Sequence, residues 1–173
     1  GNEKRLLHDP ATDDLQLIDV IWKELAGSAG SLSFRVPASH PFRDMMQQIS
    51  TDFLLYEDEE EVFRGRYMGS EEDFYRTGQI TCEGDLNFLC DSVQAPFEFN
   101  GSLMHYFTHV LNVHNRQVEP RKQFRKGTVN VADTVNISER DNSEYTNTAE
   151  LFKTKLTEVH GGYMRTRKVD GIY

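Results

Sequence analysis

Apolar and polar residues alternate with a period of two through much of the first half of the chain. Ser31-Leu32-Ser33-Phe34-Arg35-Val36 places every second side chain on one face before Pro37 stops the run. Leu15 to Leu25 precedes it across the small-residue break Ala26-Gly27-Ser28-Ala29-Gly30. Two such runs joined by a glycine-containing break predict a β-hairpin. A second strand pair is predicted for Phe53 to Tyr56 and Val62 to Met68, with Leu54, Tyr56, Val62, Arg64 and Arg66 among the alternating positions. The acidic run Glu57-Asp58-Glu59-Glu60-Glu61 lies between them and reads as a solvated hairpin tip. Phe74 to Cys82 adds a short strand, interrupted at Thr77-Gly78. Several short strands with frequent turn signals are the pattern of a closed or stacked β sheet.

In the second half the period changes. From Ser102 as N-cap, Leu103, Phe107, Val110 and Leu111 recur at helical spacing on a helix expected to end near Asn115. A basic, proline-containing connector from Arg116 to Lys126 leads to strand-like stretches at Thr128 to Val131 and Thr134 to Ser138. Asn147 with Glu150 three residues on resembles a capping box. Leu151, Phe152, Leu156 and Val159 form the expected buried face of that helix, and Gly161-Gly162 ends it. Tyr163 to Val169 then alternates into Asp170-Gly171, a hairpin turn signal.

The switch of period falls at residues 95 to 101, where Ala95-Pro96 and Asn100-Gly101 punctuate it. The fold class expected is α+β and mainly β at the N-terminus. A β-barrel or sandwich over 1–97 is followed over 98–173 by a small α+β module with two helices and short strands. That module is expected to be cut short, because the sequence stops two residues into the return strand after Asp170-Gly171. Gly1 stands where a Met would, so the first residues read as a tag remnant.

With 173 residues, the chain can bury a core without disulfides. Hydrophobic residues make up 38% and charged residues 27%, and no apolar stretch nears the roughly 20 residues that span a bilayer, so no membrane segment is expected. The 19 basic and 28 acidic residues leave a net charge of −9 without a dense basic stripe, which argues against specific nucleic-acid binding. The acidic run lacks the spaced Asp, Asn and Gly of a calcium loop.

Candidate chemistry is sparse. His105 and His109 stand four apart, about 40° around a helix, but His114 falls about 180° away within the apolar stripe. HYFTH has Tyr106 where a metalloprotease places its general base. Cys82 and Cys90 are too widely spaced for a redox or zinc pair, with no histidine nearby in sequence, and read as small buried hydrophobes. Glu83 and Asp85 sit at a strand-to-helix junction, where carboxylates accept a helix's free N–H groups. Gly65 marks a bulge or a close backbone approach. No phosphate-binding glycine pattern occurs. No catalytic, cofactor-binding or metal-binding residue is assigned.

Six stretches nonetheless occur in a telling order: SLSFRVPASHPF (31–42), EVFRGRY (61–67), ITCEGDLNFLCDS (80–92), VLNVHNRQV (110–118), GTVNV (127–131) and NTAELFKTKLTEVHGGYMRTRKVDGIY (147–173). Together they resemble the N-terminal part of the prophage endopeptidase tail family, the tail-associated lysins at the tail tips of siphophages and prophages of Gram-positive bacteria. The resemblance implies a fold similar to the central baseplate hub of contractile tails: tail-tube-like β-barrel modules with an α+β insertion, forming a trimeric ring that closes the tube. It implies a virion structural protein, made in the bacterial cytoplasm and placed at the tail tip, with the distal tail protein and tape-measure protein as partners. Lytic domains of this family lie further C-terminal, so no catalysis is expected within these residues.

In the family, the segment matching TCEGDLNFLCDS is a strand running into a short helical corner. Here Leu86, Phe88 and Leu89 would anchor that corner and Gly84 would permit the turn. The hairpin 57–61 and a loop at 69–73 are candidate subunit contacts, and the sequence does not choose between them. Two other readings compete. One is a peptidoglycan-directed enzyme using Cys82, Cys90 or His109. The other is a carbohydrate- or receptor-binding module with Tyr67, Phe74, Tyr75 and Tyr106 as aromatic platform.

Overall fold

The two alternating runs at the start of the chain become strands β1 (Ile18–Lys23) and β2 (Ser31–Val36), paired antiparallel with Trp22 opposite Leu32. In β2, Leu32, Phe34 and Val36 are buried, while Ser31, Ser33 and Arg35 face the other way. The coordinates are a computed structural model, which describes residues 4–74, 76–131 and 135–167. Strands β3 (Asp52–Glu57), β4 (Glu60–Glu72) and β5 (Gly78–Gly84) complete a curled five-stranded antiparallel sheet of order β1-β2-β5-β4-β3. The acidic tip is a two-residue turn in which Asp58 (φ 48°) and Glu59 (φ 69°) are both left-handed, closed by Glu57 opposite Glu60. Positive φ at both central residues matches the twist of the flanking strands.

Strand β4 runs beyond the predicted end at Met68. Residues 69–72, read as a loop from sequence, pair with β5, Gly69 opposite Thr81 and Glu72 opposite Gly78. The first half of β4 pairs with β3 and the second half with β5, the two ladders overlapping at Gly65 and Arg66. A register shift between Tyr67 and Gly69 accompanies this change of partner. Phe74, read as the start of the next strand, instead lies in the connecting turn and is 94% exposed. There the Asp73 carboxylate accepts the Thr77 N–H at 2.9 Å.

The sheet buries one face. Leu32, Phe34, Val36, Phe53, Phe63, Tyr67, Ile80 and Cys82 form its core, with Leu7, Leu17 and Trp22 packed against it. Phe34 meets Phe53 edge-on at 5.1 Å. A side chain at Gly65 would fall on the Glu83 carbonyl, the close approach its place in the strand predicts. Gly84 serves the same purpose and not the turn expected of it: a Cβ there would fall on the Ala29 carbonyl.

A 3-10 corner, Asp85–Asp91, follows β5. Phe88 and Leu89 are buried and Leu86 packs beside them, as the resemblance leads one to expect. Residues up to 25 and 29–85 form one compact unit; 26–28 and 86 onward form the other. The change comes at Asp85–Leu86, ahead of the division at 97, because Phe88 and Leu89 belong to the second core.

In that second unit the sequence of elements is β6 (Val93–Gln94), β7 (Asn100–Ser102), α1 (Leu103–Gln117), β8 (Ile137–Glu139), β9 (Thr146–Asn147), α2 (Thr148–Phe152) and, after a π-helical stretch at Lys153–Thr157, α3 (Glu158–His160). β6 pairs with β9, and β7 with β8. Helices α1 and α2 each spring directly from a strand end, β7 and β9, through the predicted cap. Ser102 Oγ accepts the His105 N–H at 3.3 Å, and Asn147 Oδ1 accepts the Glu150 N–H at 2.8 Å. The core joins Leu103, Tyr106, Val110 and Leu111 of α1 to Phe124, Leu151, Phe152 and Leu156, with Phe107 stacked on Phe152 at 4.9 Å.

Several expectations need correction here. Val159 is 64% exposed, because the wider π turn before it rotates the following residues off the buried face. Gly127 to Val131 has no ladder partner among the described residues, and neither has Tyr163 to Arg167. In the stretch read as Thr134 to Ser138, the strand is β8, and Thr134 lies outside the described residues, as do Val169 and the Asp170-Gly171 turn. Gly161 (φ 74°) and Gly162 (φ 82°) do end the helical stretch. No helix among the described residues is long and apolar enough to cross a membrane.

Candidate functional site

The three histidines of α1 do not converge. His105 and His109 are exposed, and His109 leans on the rings of Phe97 and Phe99 at 5.0 and 5.4 Å. His114 points into the core and is fully buried. Among the described residues no group of three His, Cys, Asp or Glu side chains could hold a metal ion.

Around His114 lies the most ordered polar arrangement in the second unit. Its Nε2 stands 3.0 Å from the Lys122 carbonyl, which can only accept, so Nε2 carries the proton and Nδ1 is the acceptor. Nδ1 lies 2.7 Å from Ser92 Oγ, which therefore donates to it. Ser92 Oγ in turn accepts from Thr148 Oγ1 at 2.6 Å, and Thr148 Oγ1 accepts from Gln94 Nε2 at 2.7 Å. The other Gln94 amide proton goes to the Val110 carbonyl at 3.1 Å. Every donor has a direction, and the chain closes only with a neutral imidazole. Burial pushes the His114 pKa below its ordinary 6.5, against the opposing pull of the Lys122 hydrogen bond and the Asp91 charge. Asp91 itself is paired with Lys122 Nζ at 2.9 Å.

A serine hydroxyl on an imidazole nitrogen is the first half of a nucleophile-and-base pair. Ser92, His114, Thr148 and Gln94 are each at most 1% exposed, so no substrate atom reaches Ser92 Oγ. The arrangement fastens β6, α1, α2 and the 118–124 connector to one another. Sequence reasoning places His114 in the apolar stripe but misses Ser92, Gln94 and Thr148. The available signal is that Ser92 and Thr148 each adjoin the start of a short strand or helix, where a hydroxyl reads as a cap.

The cysteines part company. Cys82 is buried, and desolvation pushes its thiol up to about 12; Cys90 is exposed, contrary to the expectation that both are buried, and neither is in a disulfide. Nor does Glu83 serve a helix end. Its carboxylate takes Arg66 Nε at 2.6 Å, and Arg64 pairs with Asp52 at 3.1 Å on the neighbouring ladder. Asp85 is buried at the first position of the 3-10 corner.

Of the proposed aromatic platform, Tyr67 and Tyr106 are core residues, Phe74 is exposed, and Tyr75 lies outside the described residues. On the outer face of the sheet a cleft of about 490 Å³ is lined by Asp19, Arg35, Glu71, Glu72, Asp73 and Gln79, among others. Arg35 crosses it, bonded to Asp73 at 2.9 Å and Asp19 at 3.5 Å. These ion pairs are largely solvated and hold the strands' outer surface together. Compared with known proteins, the chain matches no family model, and no curated protein matches it.

Proposed function

We propose that the chain is a structural subunit of a bacteriophage or prophage tail tip, a hub that closes the tail tube, supports host attachment and lets DNA pass, without turnover in these residues. One observation carries the reading: the curled five-stranded antiparallel sheet has outer strands, β1 and β3, that take no further ladder partner among the described residues. A sheet left open at both edges needs cover, and identical copies arranged around an axis supply it through unlike surfaces. Ile18, Val20 and Ile21, exposed along β1, suit such a contact. In this reading the sheet unit is the tail-tube-like module, and the second unit is the start of the α+β insertion.

The ordered sequence stretches that resemble the prophage endopeptidase tail family support the same assignment. With it come a homotrimer in the assembled virion and the distal tail and tape-measure proteins as neighbours. A net charge of −9 suits a wall past which phosphates slide without being held. Burial of Tyr67 and Tyr106 counts against the carbohydrate-binding alternative. Immunogold labelling of phage particles with antibodies to this chain tests the proposal. Gold at the distal end of the tail is the expected result; particles without label, or label on the capsid, would overturn it.

A further inference from the structure

Charge is divided unevenly between the two units. The sheet unit has 8 basic and 18 acidic residues and the second unit 11 basic and 10 acidic, so the negative charge belongs to the first. Within the second, Arg116, Arg121, Lys122, Arg125 and Lys126 crowd into residues 116–126. The backbone there is pinned. Asn115, near the end of α1, clamps Phe124: its Nδ2 donates to the Phe124 carbonyl at 2.8 Å and its Oδ1 accepts the Phe124 N–H at 3.0 Å. The Phe124 side chain is buried in the second core, and His114 Nε2 holds the Lys122 carbonyl. Arg116 follows one half of the clamp and Arg125 the other, so both arginines start one residue from it, with Lys126 next in line. Lys122 is neutralised by Asp91 at 2.9 Å and Glu119 at 3.4 Å, and Arg121 by Glu119 at 3.0 Å. Arg116, Arg125 and Lys126 are exposed and have no ion-pair partner among the described residues. The dipole of α1 favours Arg116 but does not account for Arg125 and Lys126, which lie outside the helix.

The sheet unit carries the opposite feature. At the β3–β4 tip Glu57 faces Glu60 across the ladder, with Asp58 and Glu59 between them. Like charges directly opposite repel, and Asp58, Glu59 and Glu60 are exposed with no ion-pair partner among the described residues. Glu59, at φ 69°, also stands where this turn favours glycine. The stability of the hairpin by itself selects neither that glutamate nor the run of acids. We propose that the acidic tip of one copy docks on the basic connector of a second copy, Asp58, Glu59 and Glu60 against Arg116, Arg125 and Lys126. Each patch repels itself within its own chain and finds its counter-charge on the other. The two surfaces differ, so the contact is head to tail and closes a ring when repeated around an axis. A nucleic acid would release counterions at only three cations here, whereas three carboxylates on one projecting turn match them in number. This inference rests on the assembly of identical copies proposed above and names the surfaces that meet.

Sedimentation velocity of the purified chain over a concentration series, at about 20 mM and about 500 mM salt, tests the contact. Self-association at low salt, weakened at least tenfold at high salt, is expected. Reversing the tip (Asp58→Lys, Glu59→Lys and Glu60→Lys) or the connector (Arg116→Glu, Arg125→Glu and Lys126→Glu) should abolish it. Both reversals in one chain should restore it, and so should an equimolar mixture of the two singly reversed chains. All six residues are exposed, and circular dichroism checks that the variants keep the fold. Zero-length carbodiimide coupling of mixed heavy-nitrogen and unlabelled wild-type chains needs no variant: the expected product joins Lys126 of one copy to Asp58, Glu59 or Glu60 of another. A chain that stays monomeric at low salt, association that survives either single reversal, or a loss that the double reversal does not repair would overturn the proposal. So would an oligonucleotide that occupies the connector in place of a second copy. Gold labelling of particles reads the place of the chain in the tail without reference to this contact, so either reading can fail while the other stands.

Discussion

Ser92 donates its hydroxyl proton to Nδ1 of His114 across 2.7 Å, and the opposite nitrogen of that ring donates to the Lys122 carbonyl at 3.0 Å. The first prediction follows from this fixed tautomer. The folded pKa of His114 is lowered by burial, so the unfolded chain binds the proton more readily. The stabilisation is complete above the ordinary imidazole value of 6.5 and declines as pH falls below it. Urea midpoints measured from pH 7.5 to 5.0 should fall in acid, with a steepest slope of about 1.4 kcal/mol per pH unit from this group. His114→Gln should have a shallower slope.

Ser92→Ala removes the donor that faces Nδ1 and leaves a buried acceptor without a partner, at a cost of about 1–3 kcal/mol. Combining it with Thr148→Val should cost less than the sum of the two single changes, by about 0.5 kcal/mol or more, because both residues belong to one chain of hydrogen bonds. Denaturant unfolding of the four proteins measures that coupling. Strict additivity would contradict the directed chain.

Gly84→Ala drives a methyl group into the Ala29 carbonyl, which is backbone and cannot swing aside. A loss of roughly 3 kcal/mol or more is expected, enough to unfold a marginal domain. Gly127→Ala has no atom within 4 Å of the new carbon and serves as the neutral comparison. Thermal midpoints of the two variants should differ widely.

These glycines also mark how far the chain can be read without coordinates. Gly65 in the middle of an alternating run is a recognisable signal for close backbone approach, whereas Gly84 next to Asp85 reads equally well as a turn. Strong local periodicity makes Ser31–Val36, α1 and both helix caps legible. The π stretch at Lys153–Thr157 is not, because a single extra residue in one turn leaves no mark in a list of apolar positions. The hydroxyl and amide partners of His114 are hidden for another reason: Ser92 and Thr148 are 56 positions apart and meet only through tertiary packing.

Tyr106 is fully buried, yet its hydroxyl has no hydrogen-bond partner among the described residues. Tyr106→Phe removes the unpaired group and keeps the ring that packs edge-on to Phe99 at 5.3 Å. Stability should rise by up to about 1 kcal/mol. A loss of stability on calorimetry would show that the hydroxyl is satisfied in solution.

The two thiols should react in two phases with an aromatic disulfide reagent at pH 8. Cys90 is exposed and should react at once. Cys82 is buried with its thiol pushed up to about 12, so it should react only as fast as the sheet opens. One fast equivalent followed by one that accelerates with denaturant is the expected trace.

Strand β4, 13 residues long, belongs to two ladders in succession, one with β3 near the Asp58-Glu59 tip and one with β5 at its far end. A pull on that tip along the strand would load the β5 ladder in shear, its hydrogen bonds sharing the force together instead of opening one after another. Over a backbone about 40 Å long, the chain therefore carries a tension member from hairpin tip to sheet centre, the mechanical trait that a part stressed along its axis would need.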